Sequence, residues 1–162
     1  MESLLINLVS HIGNNMPELR TVDEDYGQLE AGKDTYPVIF PAVLVDVQDT
    51  RWENVAELKQ LGVCTVNVRL VIDCYDDTHH GAPDAAKHIG EREELRKKLH
   101  RLLQGFACSE KSSGLIRIAS RFYTAGNGIK VYESTYTTEV YEAVRELSLK
   151  KEKPRLTVRA SE

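Results

Sequence analysis

The sequence lacks the features that mark several large classes of protein. It has three cysteines and no run approaching about eighteen apolar residues, so neither a disulfide-stapled fold nor a membrane-spanning helix is expected. The apolar stretch at the N-terminus has no basic leader and no small-residue cleavage site, which predicts a cytoplasmic protein. The formal net charge of -4 argues against a broadly basic surface that coats nucleic acid. No catalytic motif stands out.

What the sequence does contain is enough material for one hydrophobic core. Its 162 residues, 41% of them hydrophobic and 28% charged, are typical of a soluble globular domain. We find no internal repeat and no second core. Residues 1–143 are therefore predicted to form a single α+β domain, and residues 144–162 a basic C-terminal tail.

The strongest pattern is a two-residue alternation over residues 63–75, which predicts a strand with one buried face. At about 3.3 Å per residue this strand would span roughly 43 Å, so we expect it to bend, bulge or extend past its sheet. Its two cysteines lie too far apart to form a disulfide and are predicted to be core residues. The apolar face carries Cys64, Val66, Val68, Leu70, Ile72 and Cys74, and the other face carries Thr65, Asn67, Arg69, Asp73 and Tyr75.

The remaining elements are predicted from periodicity and from turn residues. Helical spacing predicts helices over residues 2–12 and 85–106, and β-branched residues predict a strand over 37–47 that is an edge strand or bulged at Pro41. Residues 115–124 and 129–141 flank a Gly-Asn-Gly turn and are predicted to form a hairpin.

Two connections are expected to be irregular. Residues 16–33 are acidic, and residues 48–62 are expected to form a long loop that projects to a partner. The predicted order α-β-β-α-β-β gives a four-stranded, mainly antiparallel sheet with both helices packed on one face. The other face is expected to meet solvent or a neighbouring molecule.

One loop brings together side chains that suit metal chemistry. Asp76, Asp77, His79 and His80 directly follow the central strand, and carboxylates with imidazoles are ligands for zinc. A metal-assisted hydrolase at this loop is therefore one alternative. Adjacent histidines rarely point at one ion and no spaced histidine pair accompanies them, so a solvated loop is favoured, and no catalytic residue, metal site or cofactor is expected.

A second set of residues suits an interaction surface. The second hairpin combines arginines and tyrosines, which favour either base stacking or a protein interface, and the acidic net charge favours the protein interface. Nucleic-acid binding through Arg117, Arg121 and the tail is the alternative. The candidate interface comprises Trp52, Arg69, Arg117, Arg121, Tyr123, Tyr132, Tyr136, Lys150, Lys151 and Lys153.

Opposite charges near the two ends of the chain suggest self-association. The connection over residues 16–33 is acidic and the tail is basic, which suits head-to-tail packing of identical copies into a ring. An ordinary solvated tail is the alternative.

Four segments carry a resemblance to known proteins: DEDYGQLE, PVIFPAVLVDV, VRLVIDCYDD and HIGEREELRKKLHRLLQGF. They resemble small proteins encoded in prophages and mobile elements of Bacteroides-type bacteria. The order of helix, hairpin, helix and hairpin also resembles the tail terminator and tail-completion proteins of long-tailed phages, of the lambda tail-terminator type.

The resemblance implies a structural protein without cofactor or catalytic residues. Tail terminators form hexameric rings that cap the tail tube and join it to the head. Expected partners are thus further copies of this chain, the tail tube and head-completion proteins, with no membrane partner. The expected location is the cytoplasm during assembly and then the virion tail. By analogy, the loop over residues 48–62, the second hairpin and the tail would make these contacts.

Overall fold

The computed structural model describes residues 2–31, 38–126 and 128–143 of this chain. The basic tail over residues 144–162, with Lys150, Lys151 and Lys153, lies outside the described residues. The elements in chain order are α1 (Glu2–Asn15), β1 (Thr21–Glu24), β2 (Ala42–Ala56), β3 (Lys59–Asp73), α2 (Ala85–Leu103), β4 (Ile116–Thr124) and β5 (Ile129–Ala143).

The strands form one mixed sheet in the order β1-β2-β3-β5-β4, in which β1 and β2 are parallel and the other pairs are antiparallel. The predicted α+β class with two helices is confirmed, but the count of four strands was one too low. The additional strand, β1, lies in the acidic connection that was expected to be irregular. It was missed because four residues are too few to show a period.

Both helices pack on the same face of the sheet, as predicted. Apolar residues one helical turn apart on α1 meet the alternating apolar residues of β3, because both rows face the same interior. Burial of each large side chain contributes about 1.5 to 3 kcal/mol. This helix-side core includes Leu4, Leu8, Ile12, Met16, Val43, Val45, Cys64, Val66, Val68, Leu70, Leu99, Leu103 and Tyr136.

The opposite face is partly covered by the chain itself, whereas the sequence predicted that it would meet solvent or a neighbouring molecule. A second apolar cluster lies there, and the chain segment between β1 and β2 packs on it through Leu29, Val38 and Phe40. The cause is that Val71 interrupts the polar row of β3 and joins apolar neighbours on β2 and β5. The buried members of this cluster are Ala42, Leu44, Val71, Ile129 and Val131.

The expected loop over residues 48–62 is instead continuous β-structure, so that prediction was wrong. β2 and β3 are each 15 residues long and are joined by a tight turn at Glu57 and Leu58, where Leu58 has φ 62°. Pairing with β5 continues as far as Lys59 and Ala143. Of the described residues 48–63, none belongs to either apolar cluster. We call residues 48–63 together with residues 139–143 of β5 the sheet arm.

The second hairpin, β4 and β5, is confirmed, with one change of side-chain direction. The register shifts between Arg117 and Ala119, so Ile118 forms a bulge. Arg117 therefore pairs with Tyr136 on the helix side, whereas Arg121 pairs with Glu133 on the opposite face. Arg117 and Arg121, both expected in one interface, thus lie on opposite faces of β4.

We expect the C-terminal end of α2 to contribute most to the stability of its packing on the sheet. Replacing Leu103, which is fully buried, by alanine should lower the free energy of unfolding by about 2 to 5 kcal/mol, because it leaves a cavity. Ile89 on the same helix is 51% exposed, so Ile89→Ala should change it by no more than about 0.5 kcal/mol. Urea denaturation measures both. Equal losses would contradict the packing of α2 described above.

Candidate assembly interface

The Trp52 side chain lies over Gly62 of the neighbouring strand and depends on the absence of a side chain there. Trp52 pairs with Gly62 of β3, and a Cβ atom added to Gly62 would lie 2.7 Å from the indole ring. Any side chain at Gly62 would therefore push the indole away. Trp52 is 37% exposed, so one part of the ring covers β3 and the rest faces solvent.

The outer edge of β2 has no strand partner along the arm among the described residues. β1 pairs only with residues 42–45, where the amides of Arg20 and Asp25 donate to the carbonyls of Pro41 and Val45. Beyond that point the pairing of β2 is with β3 alone. An unpaired strand edge offers backbone donors and acceptors to another chain.

A bulge determines which residues present those backbone groups. Residues 48 and 49 together occupy one position opposite β3, since Val47 pairs with Val66 and Thr50 with Cys64. Before the bulge, the odd-numbered residues of β2 direct their carbonyls outward, as Val45 shows. After it the pattern changes to even numbers, so Trp52 and Asn54 direct their N–H and C=O groups to the open side.

The side chains of the arm add an apolar and charged surface. Val63, which is 41% exposed, lies on the face opposite the helices, between Arg51 of β2 and Glu139 of β5. Clusters of exposed apolar groups on a soluble protein commonly mark interaction sites. The exposed apolar residues of the arm are Trp52, Val55, Leu58, Val63 and Tyr141.

Two of the expected interface tyrosines face the helices. Tyr136 is buried, its hydroxyl lies 3.1 Å from His100 Nδ1, and burial raises its pKa to about 12. Tyr132 is half-buried and contacts the ring of Phe122 edge-on at 5.3 Å. Neither tyrosine offers a stacking platform, because both contribute to the packing beneath the sheet.

Arg121 and Tyr123 remain on the opposite face, where they form a small surface group. The Arg121 guanidinium lies 4.8 Å from the centre of the Tyr123 ring and donates to Glu133 at 2.8 Å. Its positive charge is thus already paired. Arg117, on the other face, is half-buried near the helices. The two arginines do not form one basic patch.

Arg69 is buried in an ion cluster and is not presented on the surface. It is 8% exposed and donates to Asp25 at 2.6 Å and to Glu30 at 2.5 Å. Burial opposes its charge, but the hydrogen bonds to Glu30, Asp25 and Tyr123 outweigh burial and raise its pKa. The hydrogen bond from Arg69 in turn lowers the pKa of Glu30. The cluster fastens the segment after β1 to the sheet.

The cluster lines an open polar groove of about 620 Å³. The groove holds more acidic than basic groups, and the side-chain oxygen of Asn67 within it is buried without a hydrogen-bond partner in the described part of the chain. Its other lining residues include Asp46, Gln48, Arg121, Tyr123 and Glu133.

The loop after β3 does not gather a metal site in the structure. His79 lies 3.2 Å from Asp77, while Asp76 lies 3.7 Å from His88 on α2, so the carboxylates belong to different pairs. The His79 and His80 rings are 6.1 Å apart and inclined by 69°. Within the described residues, no three histidine, cysteine or acidic side chains converge as metal ligands.

The cysteines are all free thiols. Cys64 and Cys108 are buried in the helix-side core, as expected for Cys64. Burial, with a smaller effect of Cys64, raises the pKa of Cys108 to about 12, which disfavours the reactive thiolate. No helix in the described ranges is long and apolar enough to cross a membrane.

Comparison with known proteins finds likenesses among solved structures alone. No protein-family model matches the chain, and no curated protein matches it. Among solved structures, a chain from the virion of a native gene transfer agent particle aligns with a TM-score of 0.42 and 11% sequence identity. The alignment covers 83% of this chain and 84% of that chain.

Trp52 is predicted from the sequence as an interface residue, whereas Arg51, Glu53 and Val63, which share its arm, are not. A signal was present, because residues 48–62 contain no proline and their only glycine, Gly62, lies inside β3. A loop of that length normally contains turn-forming residues, so their scarcity was evidence for continuing strands.

We expect Arg69 to be required for stability. Arg69→Leu should lower the free energy of unfolding by about 3 to 5 kcal/mol, because Asp25 then stays mostly buried without its counter-ion. Adding Asp25→Asn should recover part of that loss. Arg101→Leu on α2, where the arginine side chain is 69% exposed, is the control and should have little effect. Urea denaturation of the wild type and the three variants measures these free energies of unfolding. An Arg69→Leu variant as stable as the wild type would contradict the prediction.

The pairing of Glu30 should make stability depend on pH in a defined direction. Its pKa is lowered in the folded state, so the pairing stabilises the protein fully above the usual carboxyl value of 4.5 and is lost as pH falls through the lower folded value. The difference in unfolding free energy between the wild type and Glu30→Gln should therefore be constant near neutral pH and shrink in acid. A difference that grows below pH 4.5 would have the wrong sign.

Proposed function

We propose that this protein is a structural component of a phage-type tail, a tail terminator or tail-completion protein, that works as a homo-oligomeric ring. In this role it binds and does not catalyse, and it needs no cofactor. Its partners would be further copies of itself, the tail tube and head-completion proteins, with neither membrane nor nucleic acid as a ligand. The resemblance of its sequence segments to prophage proteins supports the phage setting.

The observation that carries the assembly role is the sheet arm. A fold that only had to bury its own core would end its strands near Val47, Cys64 and Val140, where the helix-side cluster ends. Instead three strands continue beyond it, with exposed apolar side chains and an edge that no described strand pairs with. Exposed apolar surface costs solubility, so the arm is best explained as a surface that another molecule covers.

A ring of identical copies requires two different surfaces on each copy that fit one another. The arm supplies one of them. The face that carries Arg121 and Tyr123 is a candidate for the other. The acidic groove on that face would receive the basic residues 144–162 of a neighbouring copy, since the arm itself carries more acidic than basic residues. The mechanism is then steric and electrostatic, because each copy completes the surface of its neighbour.

Solution mass tests this proposal. Light scattering over a concentration series, at low and at moderate salt, should show a closed oligomer, and six copies of an 18.3 kDa chain would fit a tail ring. A monomer at every concentration would contradict a ring that forms in free solution.

Variants of the arm should locate the contact. Val63→Glu places a charge on the exposed apolar surface and should weaken association by about tenfold or more, because association would have to remove that charge from water. Ile89→Glu makes the same change on α2, outside the arm, and should leave the mass unchanged. If both variants associate like the wild type, the arm is not the contact.

A further inference from the structure

We propose that the open edge of β2 in the sheet arm pairs antiparallel with the same edge of a second copy, about a two-fold axis at Trp52. This goes beyond the tail role and does not depend on it. The occupant of the edge is thus a second copy of this chain, and the two sheets become one continuous sheet.

The backbone of the arm is suited to such pairing. Past the bulge, Trp52 and Asn54 direct N–H and C=O groups to the open side, and β2 has no proline to interrupt a ladder. The other edge of the arm, formed by β5, is protected because the loop before β4 covers it. There the amide of Ser113 donates to Glu139 and that of Tyr141 donates to Lys111. The β2 side is the open edge of the arm.

The side chains beside Trp52 are complementary to their own copies. With the axis at Trp52, Arg51 of each copy lies opposite Glu53 of the other, so the pair forms twice. Both side chains are exposed and lie on the same face, and neither has an ion pair within the described residues. The two indoles meet at the axis on the helix side, where each still has an exposed part.

The same charges disfavour the neighbouring registers. Moving the axis by one residue places either Arg51 opposite Arg51 or Glu53 opposite Glu53, and like charges directly opposite one another repel. The other outer strand, β4, is less suited to self-pairing. It has a bulge at Ile118 and two arginines, Arg117 and Arg121, but no acidic residue.

This pairing closes at two copies. Each copy contributes the same edge, so the contact is isologous and leaves no β2 edge for a third. A ring, in contrast, needs heterologous contacts. Those contacts would come from surfaces other than the β2 edge, so the two proposals fail separately. A charge-sensitive dimer that never grows supports edge pairing and contradicts a ring in free solution, whereas an oligomer insensitive to these charges contradicts edge pairing alone.

Charge reversal tests the pairing, because reversing both charges should restore the association that reversing one of them weakens. R51E and E53R should each weaken association by about tenfold or more, because each places like charges opposite one another twice. The double variant R51E/E53R exchanges the two charges and should associate like the wild type. An equimolar mixture of R51E and E53R should also associate, since the two acidic side chains of one variant lie opposite the two basic side chains of the other in the mixed dimer. Sedimentation velocity over a concentration series measures all four.

R101E is the matched control, because it makes the same change of charge on α2 and should leave association intact. The substituted side chains are exposed, so circular dichroism should show folded proteins throughout. A wild type that stays monomeric at the highest concentration overturns the proposal. So does a double variant or mixture that associates no better than the single variants. If only R51E dissociates the dimer, the axis does not lie at Trp52.

Discussion

The pairing of β3 along both of its edges is the interaction on which the rest of the structure depends. All 15 of its residues pair with β5 without a register break, and residues between 59 and 71 pair with β2, with two shifts of register. A strand of that length spans about 50 Å, whereas α1 and α2 are roughly 21 and 28 Å long. The helices therefore cover only one part of the sheet. The uncovered part is the arm, and its exposure follows from this mismatch of lengths.

On the face of the sheet opposite the helices, an ion cluster holds a chain segment in place. Apolar packing holds the helices on the other face in the same way. The segment after β1 places Leu29 on the second apolar cluster, but its position also depends on Asp25 and Glu30, which both bind Arg69. Desolvation offsets much of the attraction within a buried ion pair, so the cost of removing Arg69 alone comes from leaving Asp25 buried without a counter-ion. That arrangement determines the shape of the groove beside Arg69 and its excess of acidic groups.

The sequence predicted those elements whose pattern is local. The alternation from Cys64 to Ile72, the amphipathic α2 and the Gly-containing turn of the second hairpin each lie within a short stretch, and each was found. The features that the sequence did not predict depend on partners far along the chain, or on strands that are hydrogen-bonded but not buried. β1 is four residues long and pairs with a strand about twenty residues on, and Arg69 meets carboxylates 39 and 44 residues away. The arm is exposed on most of its surface, so its strands show no apolar period.

The long ladder between β3 and β5 has a consequence for how the chain is made. The β2–β3 pairs are local, starting at Ala56 and Lys59, but the β3–β5 pairs join residues 56 to 84 positions apart. At a synthesis rate of about 5 to 20 residues per second, β5 leaves the ribosome roughly 3 to 17 s after β3. During that interval β3, which has the most apolar face of the strands, has no β5 to pair with. Nascent chains on one polysome are then most exposed to mispairing with each other, so slow initiation and low temperature should favour recovery of the folded protein.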